Sequence, residues 1–382
     1  MIIGLQEMKF FNFQGEIFMS KLFAWFFAMM AVLNSLGAYA CTDIKLTAKD
    51  GTLMIGRSLE FGMDLNSNIR TSTRNRAFTN ATPNGKSGLA WNAKYGYLYL
   101  DGFNQNMALD GINEAGLSFE YLYLPGETTY QTIPAGKENQ GVPYNLFGDW
   151  VLSNFKSIDE VKAAVNNIYV FPLNLPGLGN VILPAHASIT DATGKGIIVE
   201  FINGQKKVYD SIGVMTNSPQ YNWQVTNLRN YVNLSAYNPA SVIDGNMTFS
   251  STGQGAGAVG LPGDYSPPSR FVKASYLLKT VYPANTATDI LNLAQHIMNN
   301  FDIPAGASRT TDGGKTATDT TEWVVFKDLT HKVLYYRSYG DLTLRSIALD
   351  KLNFTANAPM LKMPVVNTQT PVDMTGTFLK SS

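Results

Sequence analysis

Strand-like and helix-like runs in this sequence come in separate blocks, and that grouping constrains the fold more than any other feature. TDIKLT, TLMIG, YGYLYLDGF, GLSFEYLYL, ASIT and GIIVEFI are short runs rich in β-branched and aromatic residues. Most are bounded by Gly, Asp or Asn, and they read as strands. Asp50-Gly51 joins the first two and predicts a hairpin turn. Helical patterns follow at residues 145–154 and 157–167, the second opened by Ser157 with Glu160 three residues on, a capping box. Two more cover about 268–282 and 286–301, and TEWVVFKDL and KVLYYRSY make a late strand pair. A doubly wound parallel sheet needs strict alternation of strand and helix. Blocks instead predict an α+β fold, antiparallel sheets covered by helices. Residues 234–268, rich in Gly, Ser and Pro, read as one long loop. No repeat or linker divides the rest, so residues 41–382 are expected to form a single domain.

The first forty residues follow other rules. From Leu22 to Tyr39 there is no charge, and an apolar centre begins just after Lys21 and ends in SLGAYA. Ala38 and Ala40 are small residues at the −3 and −1 positions of a cut before Cys41, so residues 1–40 read as a secretory signal peptide. Met19-Ser20-Lys21 is a more ordinary start, so both Met1 and Met19 stand as candidate starts, the second making residues 1–18 the product of a misplaced start codon. Two rivals stand beside this reading. A retained membrane anchor would need a longer apolar run. A lipidated Cys41 on a periplasmic binding protein would fit better with Leu than Ala38 at −3 and without the bulky Tyr39 at −2. A cleaved leader makes the protein periplasmic or secreted, with no stable membrane association afterwards.

Formal net charge is zero over 382 residues, which gives no electrostatic reason to expect nucleic acid or an anionic membrane as a partner. Gly255, Gly257 and Gly260 satisfy G-x-G-x-x-G, but polar STGQ precedes them and LPGDYSPP follows. Proline blocks the helix that a dinucleotide site requires. The histidines, His186, His296 and His331, are widely spaced without a metal-ligand pattern and read as structural. No metal or cofactor is expected.

Cys41 is the only cysteine, so no disulfide forms within the chain. A lone thiol at the start of a mature exported chain is either accidental or reactive. An N-terminal cysteine carries its own base, because a free α-amine titrates near ~7.7–8.0 and a thiol near ~8.5. The amine can take the thiol proton and activate the sulfur. Amide cleavage by such a group also needs hydrogen-bond donors aimed at the developing oxyanion.

Five ordered segments now resemble the choloylglycine hydrolase family of N-terminal nucleophile hydrolases, over essentially all of residues 41–360. The family includes conjugated bile salt hydrolases and penicillin V acylases. Cys41-Thr42 with GRSLEF implies the nucleophile at Cys41, a guanidinium at Arg57 beside the thiolate and a carboxylate at Glu60 near the amine, where many relatives have Asp. DGINEAGLSFEYLYLPG puts Tyr123 where bile salt hydrolases often have Asn and where the family uses the backbone N–H in the oxyanion hole. Tyr occurs there among relatives nearer the penicillin acylases. HASITDATGKGIIVEF is similar to a strand–turn–strand signature of the family. VMTNSPQYNWQVTNLRNY aligns Asn217 with the side-chain oxyanion donor, and GLPGDYSPPSRFVKASYL aligns Arg270 with a second active-site arginine. The resemblance implies a four-layer αββα sandwich and hydrolysis of a small N-acyl amide through a thioester, without metal or cofactor. Penicillin V, a conjugated bile salt and an N-acyl homoserine lactone are the implied donors. Family members often form tetramers, which adds a homotetramer to the expectations. Leu59, Phe61 and Met63 either line the acyl pocket or belong to the core.

Overall fold

A computed structural model describes residues 40–175, 181–312, 315–365 and 368–380; of the expected leader, residues 1–40, all but Ala40 lies outside the described residues. The chain enters through β1 (Cys41–Thr47), which pairs antiparallel with β2 (Leu53–Phe61), Cys41 opposite Leu59 and Asp43 opposite Arg57. The hairpin expected at Asp50-Gly51 is present, with a five-residue connection between the two strands. The Ala48 N–H donates to the Thr52 carbonyl at 2.9 Å, and Gly51 has φ +89°, a conformation that a side chain would strain. β2 runs past Gly56, the expected strand end, to Phe61. Gly56 does not turn the chain; it makes room. A Cβ there would lie 3.2 Å from Ile44 Cγ1 and 3.3 Å from Met298 Cγ.

Further strands of the two large sheets are β3 (Asn68–Ser72), β4 (Tyr97–Leu100), β5 (Asp110–Asn113), β6 (Ser118–Tyr123), β7 (Ala185–Thr190), β8 (Gly196–Ile202), β9 (Gln205–Asp210) and β10 (Val214–Met215). Beyond these come β11 (Val242–Asp244), β12 (Met247–Phe249), β13 (Ser308–Asp312), β14 (Lys315–Asp328), β15 (Val333–Ser338), β16 (Asp341–Ala348) and β17 (Lys362–Pro364). The first sheet has seven strands in the order β10-β1-β2-β14-β15-β16, with β13 added on β14. The second has eight, β9-β8-β7-β6-β5-β4-β3-β17. Pairing is antiparallel throughout both sheets.

Five helices matter for the site: α1 (Tyr144–Asn154), α2 (Ile158–Val165), α3 (Tyr221–Asn227), α4 (Pro267–Thr280) and α5 (Ala287–Met298). α4 and α5 pack on the first sheet, and α1 packs on β5 and β6 of the second. Period-two alternation sorts the second sheet's side chains. Leu98, Leu100, Ile112 and Leu122 join a core shared with the first sheet and α5, while Tyr97, Tyr99, Phe119 and Tyr121 join a second core with α1 and α2. The result is the expected αββα arrangement, two antiparallel sheets between helix layers.

Two local expectations need correction. Ser157 caps α2 by accepting from the Glu160 N–H at 3.3 Å, but the Glu160 carboxylate reaches the Lys156 N–H at 2.9 Å, one residue earlier than a capping box requires. Residues 234–268 are not one loop. They hold the β11–β12 hairpin around Asp244-Gly245, where Gly245 has φ +59°, and α4 opens at Pro267. Gly255 precedes a short 3-10 turn at Ala256–Ala258, Gly257 lies within it and Gly260 follows it, and none of them marks a strand-to-helix junction. Among the described residues no helix is long and apolar enough to cross a membrane.

Candidate active site

Cys41 begins an inner strand of the first sheet and is only 3% exposed. Its nitrogen, here the amide that links it to Ala40, donates to Asn217 Oδ1 at 2.7 Å. Its sulfur lies 3.7 Å from Arg57 Nη2. Its carbonyl accepts from Arg270 Nη1, which also donates to Thr42 Oγ1 at 2.8 Å. Three groups distant in sequence thus converge on one residue.

Each is held in turn. Arg57 lies on β2, with its Nη2 2.5 Å from the Tyr121 carbonyl, its Nη1 3.4 Å from Asp110 Oδ2 and its guanidinium carbon 4.7 Å from the centre of the Trp323 ring. Arg270, in the first turn of α4, donates Nε to the Tyr265 carbonyl at 2.9 Å and Nη2 to Asn217 Oδ1 at 2.7 Å. Two donors on Oδ1 fix the orientation of the Asn217 amide. Its Nδ2 then points to the Tyr123 carbonyl at 2.7 Å.

The turn that carries Asn217 is bracketed by a buried His–Glu pair. His186 on β7 places Nε2 3.0 Å from the Thr216 carbonyl and Nδ1 3.0 Å from Glu200 Oε1. Glu200 Oε1 also accepts from the Tyr221 N–H at 2.9 Å. His186 therefore serves the scaffold, as its isolated place in the sequence suggested. Among the described residues no group of three or more His, Cys, Asp or Glu is placed to hold a metal ion.

Glu60 is fully buried, and its N–H donates to the Ala40 carbonyl at 2.8 Å. Burial pushes its carboxyl up to about 7, against the pull of Arg270 and Arg57. Oε1 accepts from Thr321 Oγ1 at 3.3 Å, and Oε2 has no hydrogen-bond partner among the described residues. Tyr123 is half-buried at the end of β6, opposite Ala185. Leu59 and Phe61 are buried in the same core cluster as Cys41, whereas Met63 is 43% exposed.

Sequence reasoning missed Asp43, Asp110, Glu120, Trp323 and Lys327 around Arg57. The signal for Lys327 was there: a lysine inside the apolar run TEWVVFKDL that proves fully buried.

Comparison with known proteins bears on this geometry. Residues 41–367 match the family described as linear amide C–N hydrolases, choloylglycine hydrolase family. The bile salt hydrolase/transferase of Clostridium perfringens is 32% identical over 324 residues, 83% of this chain and 94% of that protein. The penicillin V acylase of Pectobacterium atrosepticum is 28% identical over 291 residues, 71% of this chain and 70% of that protein. A solved variant of the conjugated bile acid hydrolase from Clostridium perfringens superposes with a TM-score of 0.75 at 29% identity, covering 88% of this chain and 100% of that one.

Proposed function

The chain belongs to the choloylglycine hydrolase family of linear amide C–N hydrolases, and from that membership we propose a catalytic cycle centred on Cys41 as the first residue of an exported protein. The α-amine takes the thiol proton and the sulfur attacks the carbonyl of a small N-acyl amide. The Asn217 amide and the Tyr123 backbone N–H stabilise the tetrahedral oxyanion. The C–N bond then breaks, and the proton held by the α-ammonium passes to the departing amine. Water, deprotonated by the same α-amine, attacks the thioester and releases the acid and the thiol.

One observation carries this reading. The nitrogen and the sulfur of Cys41 are each met by a buried polar group, Asn217 at 2.7 Å and Arg57 at 3.7 Å. No histidine hydrogen-bonds Cys41 among the described residues, so the amine is the natural base. Removal of residue 40 frees the Glu60 N–H. The family resemblance puts the Glu60 carboxyl near the new amine, and a positive charge there would favour ionisation of a group which burial holds at about 7.

The proposed substrates are penicillin V, a conjugated bile salt and an N-acyl homoserine lactone. Tyr123, in place of Asn, leads us to expect penicillin V to be hydrolysed ahead of the bile salts. A spectrophotometric panel of these substrates decides it; equal or faster turnover of the bile salts overturns the order, and activity on none rejects all three. Mass spectrometry of the mature protein tests the chain start. An unmodified Cys41 amine is expected, and a diacylglyceryl adduct would support a lipid anchor instead.

Asn217→Ala is expected to lower kcat by roughly 10²–10³-fold with KM little changed. Steady-state kinetics read this directly, and a defect confined to KM would remove Asn217 from the oxyanion role.

A further inference from the structure

Arg57 donates to the sulfur of Cys41, and the space behind it is crowded with buried charge. The Asp110 carboxylate on β5 stands between two cations: Oδ2 lies 3.4 Å from Arg57 Nη1, and Oδ1 lies 2.6 Å from Lys327 Nζ on β14. Lys327 also donates to Glu120 Oε1 on β6, which accepts from Ser118 Oγ as well. Asp43 on β1 faces the same group and accepts from Ser188 Oγ on β7 at 2.8 Å. All five charged side chains are buried between the two sheets.

We propose that Lys327 is a positioning residue for the hydrolysis: by engaging Asp110, it keeps Arg57 from closing on that carboxylate and leaves the guanidinium charge directed at the Cys41 sulfur. The proposal rests on Cys41 being the nucleophile. Arginine and a carboxylate left to themselves form a short, forked pair at about 2.7–2.9 Å. Arg57 makes a single 3.4 Å contact instead, while Lys327 holds the closer one. Freed from a tight pair, Arg57 is steered by the Tyr121 carbonyl at 2.5 Å and the Trp323 ring into reach of the sulfur. Burial raises the Glu120 and Asp43 carboxyls, and the Lys327 charge beside them opposes that rise, so Lys327 is the cation that offsets this crowd of buried acids. Removing Lys327 takes away one positive charge and hands Asp110 to Arg57, and both changes disfavour a thiolate.

The test uses protein that begins at Cys41. It reads the pH dependence of Cys41 alkylation by iodoacetamide together with kcat and KM. Lys327→Met is expected to move the alkylation midpoint to higher pH by on the order of one unit and to lower kcat more than it raises KM. Lys327→Arg is expected to restore the midpoint. The double variant Lys327→Met/Asp110→Asn deletes a cation and the anion it restrains, so it folds without an unpaired buried charge. It is expected near the wild-type midpoint. An unmoved midpoint in folded Lys327→Met overturns the proposal, and so does a double variant displaced as far as the single one. Full hydrolysis by Cys41→Ser sinks the nucleophile reading, whereas an unmoved alkylation midpoint sinks only the role of Lys327.

Discussion

Cys41→Ser is expected to lose hydrolysis by at least roughly three orders of magnitude, with an unfolding midpoint close to that of the parent protein. The loss follows from acidity. A terminal amine titrating near ~8 is matched to a thiol at ~8.5, whereas a hydroxyl is far less acidic and gives up its proton to the same amine only as the attack proceeds, in a site whose distances are set for sulfur. Arg57 at 3.7 Å is placed to stabilise a sulfur anion that the variant cannot form. The fold has little reason to notice. The Asn217 contact is made to the Cys41 backbone nitrogen and the Arg270 contact to its carbonyl, and both survive the substitution. Kinetics on penicillin V or the best substrate of the panel, paired with calorimetry, separate the two effects. Retained turnover would place the nucleophile elsewhere.

Retaining Ala40 ahead of Cys41 is the second large effect. The sulfur, Arg57 and Asn217 all stay in place, since that is the arrangement observed with residue 40 present. The nitrogen, however, is then an amide with no basicity. Loss of a general base costs roughly 10²–10⁴-fold. Ala40 adds a steric obstacle, because it is 4% exposed and its carbonyl occupies the Glu60 N–H beside the reacting atoms. Two preparations with N-termini verified by mass, one starting at Ala40 and one at Cys41, make the comparison. Similar kcat in both would remove the amine from its role as base.

Much of this is legible in the amino-acid sequence alone. The blocks of strand and helix point to the class, because antiparallel neighbours follow one another along the chain. Cys41, Arg57, Asn217 and Arg270, spread over more than two hundred residues of sequence, meet at one point. The residues behind Arg57 are hidden for a physical reason. β2 is buried at every position and the middle of β14 at most of its positions, so period-two alternation no longer marks which side chain faces the other sheet. Lys327 sits in such a run, and only its partners on β5 and β6 reveal its direction. Asp244-Gly245 between VI and NMTF carries a hairpin signal, but the surrounding Gly, Ser and Pro outweigh it. Leu59 and Phe61 stay ambiguous because a lining residue beside a buried nucleophile and a core residue have the same composition.

Chain ends are ordinarily the loosest parts of a domain. β1 is held tightly, laced to β10 on one side and β2 on the other, with α4 gripping the Cys41 carbonyl through Arg270. A polypeptide that started at this sulfur would begin on a strand with no freedom to fray. The alignment of nucleophile and base would then be settled once, as the sheet forms, and each arriving substrate would meet a terminus already as rigid as the middle of the fold.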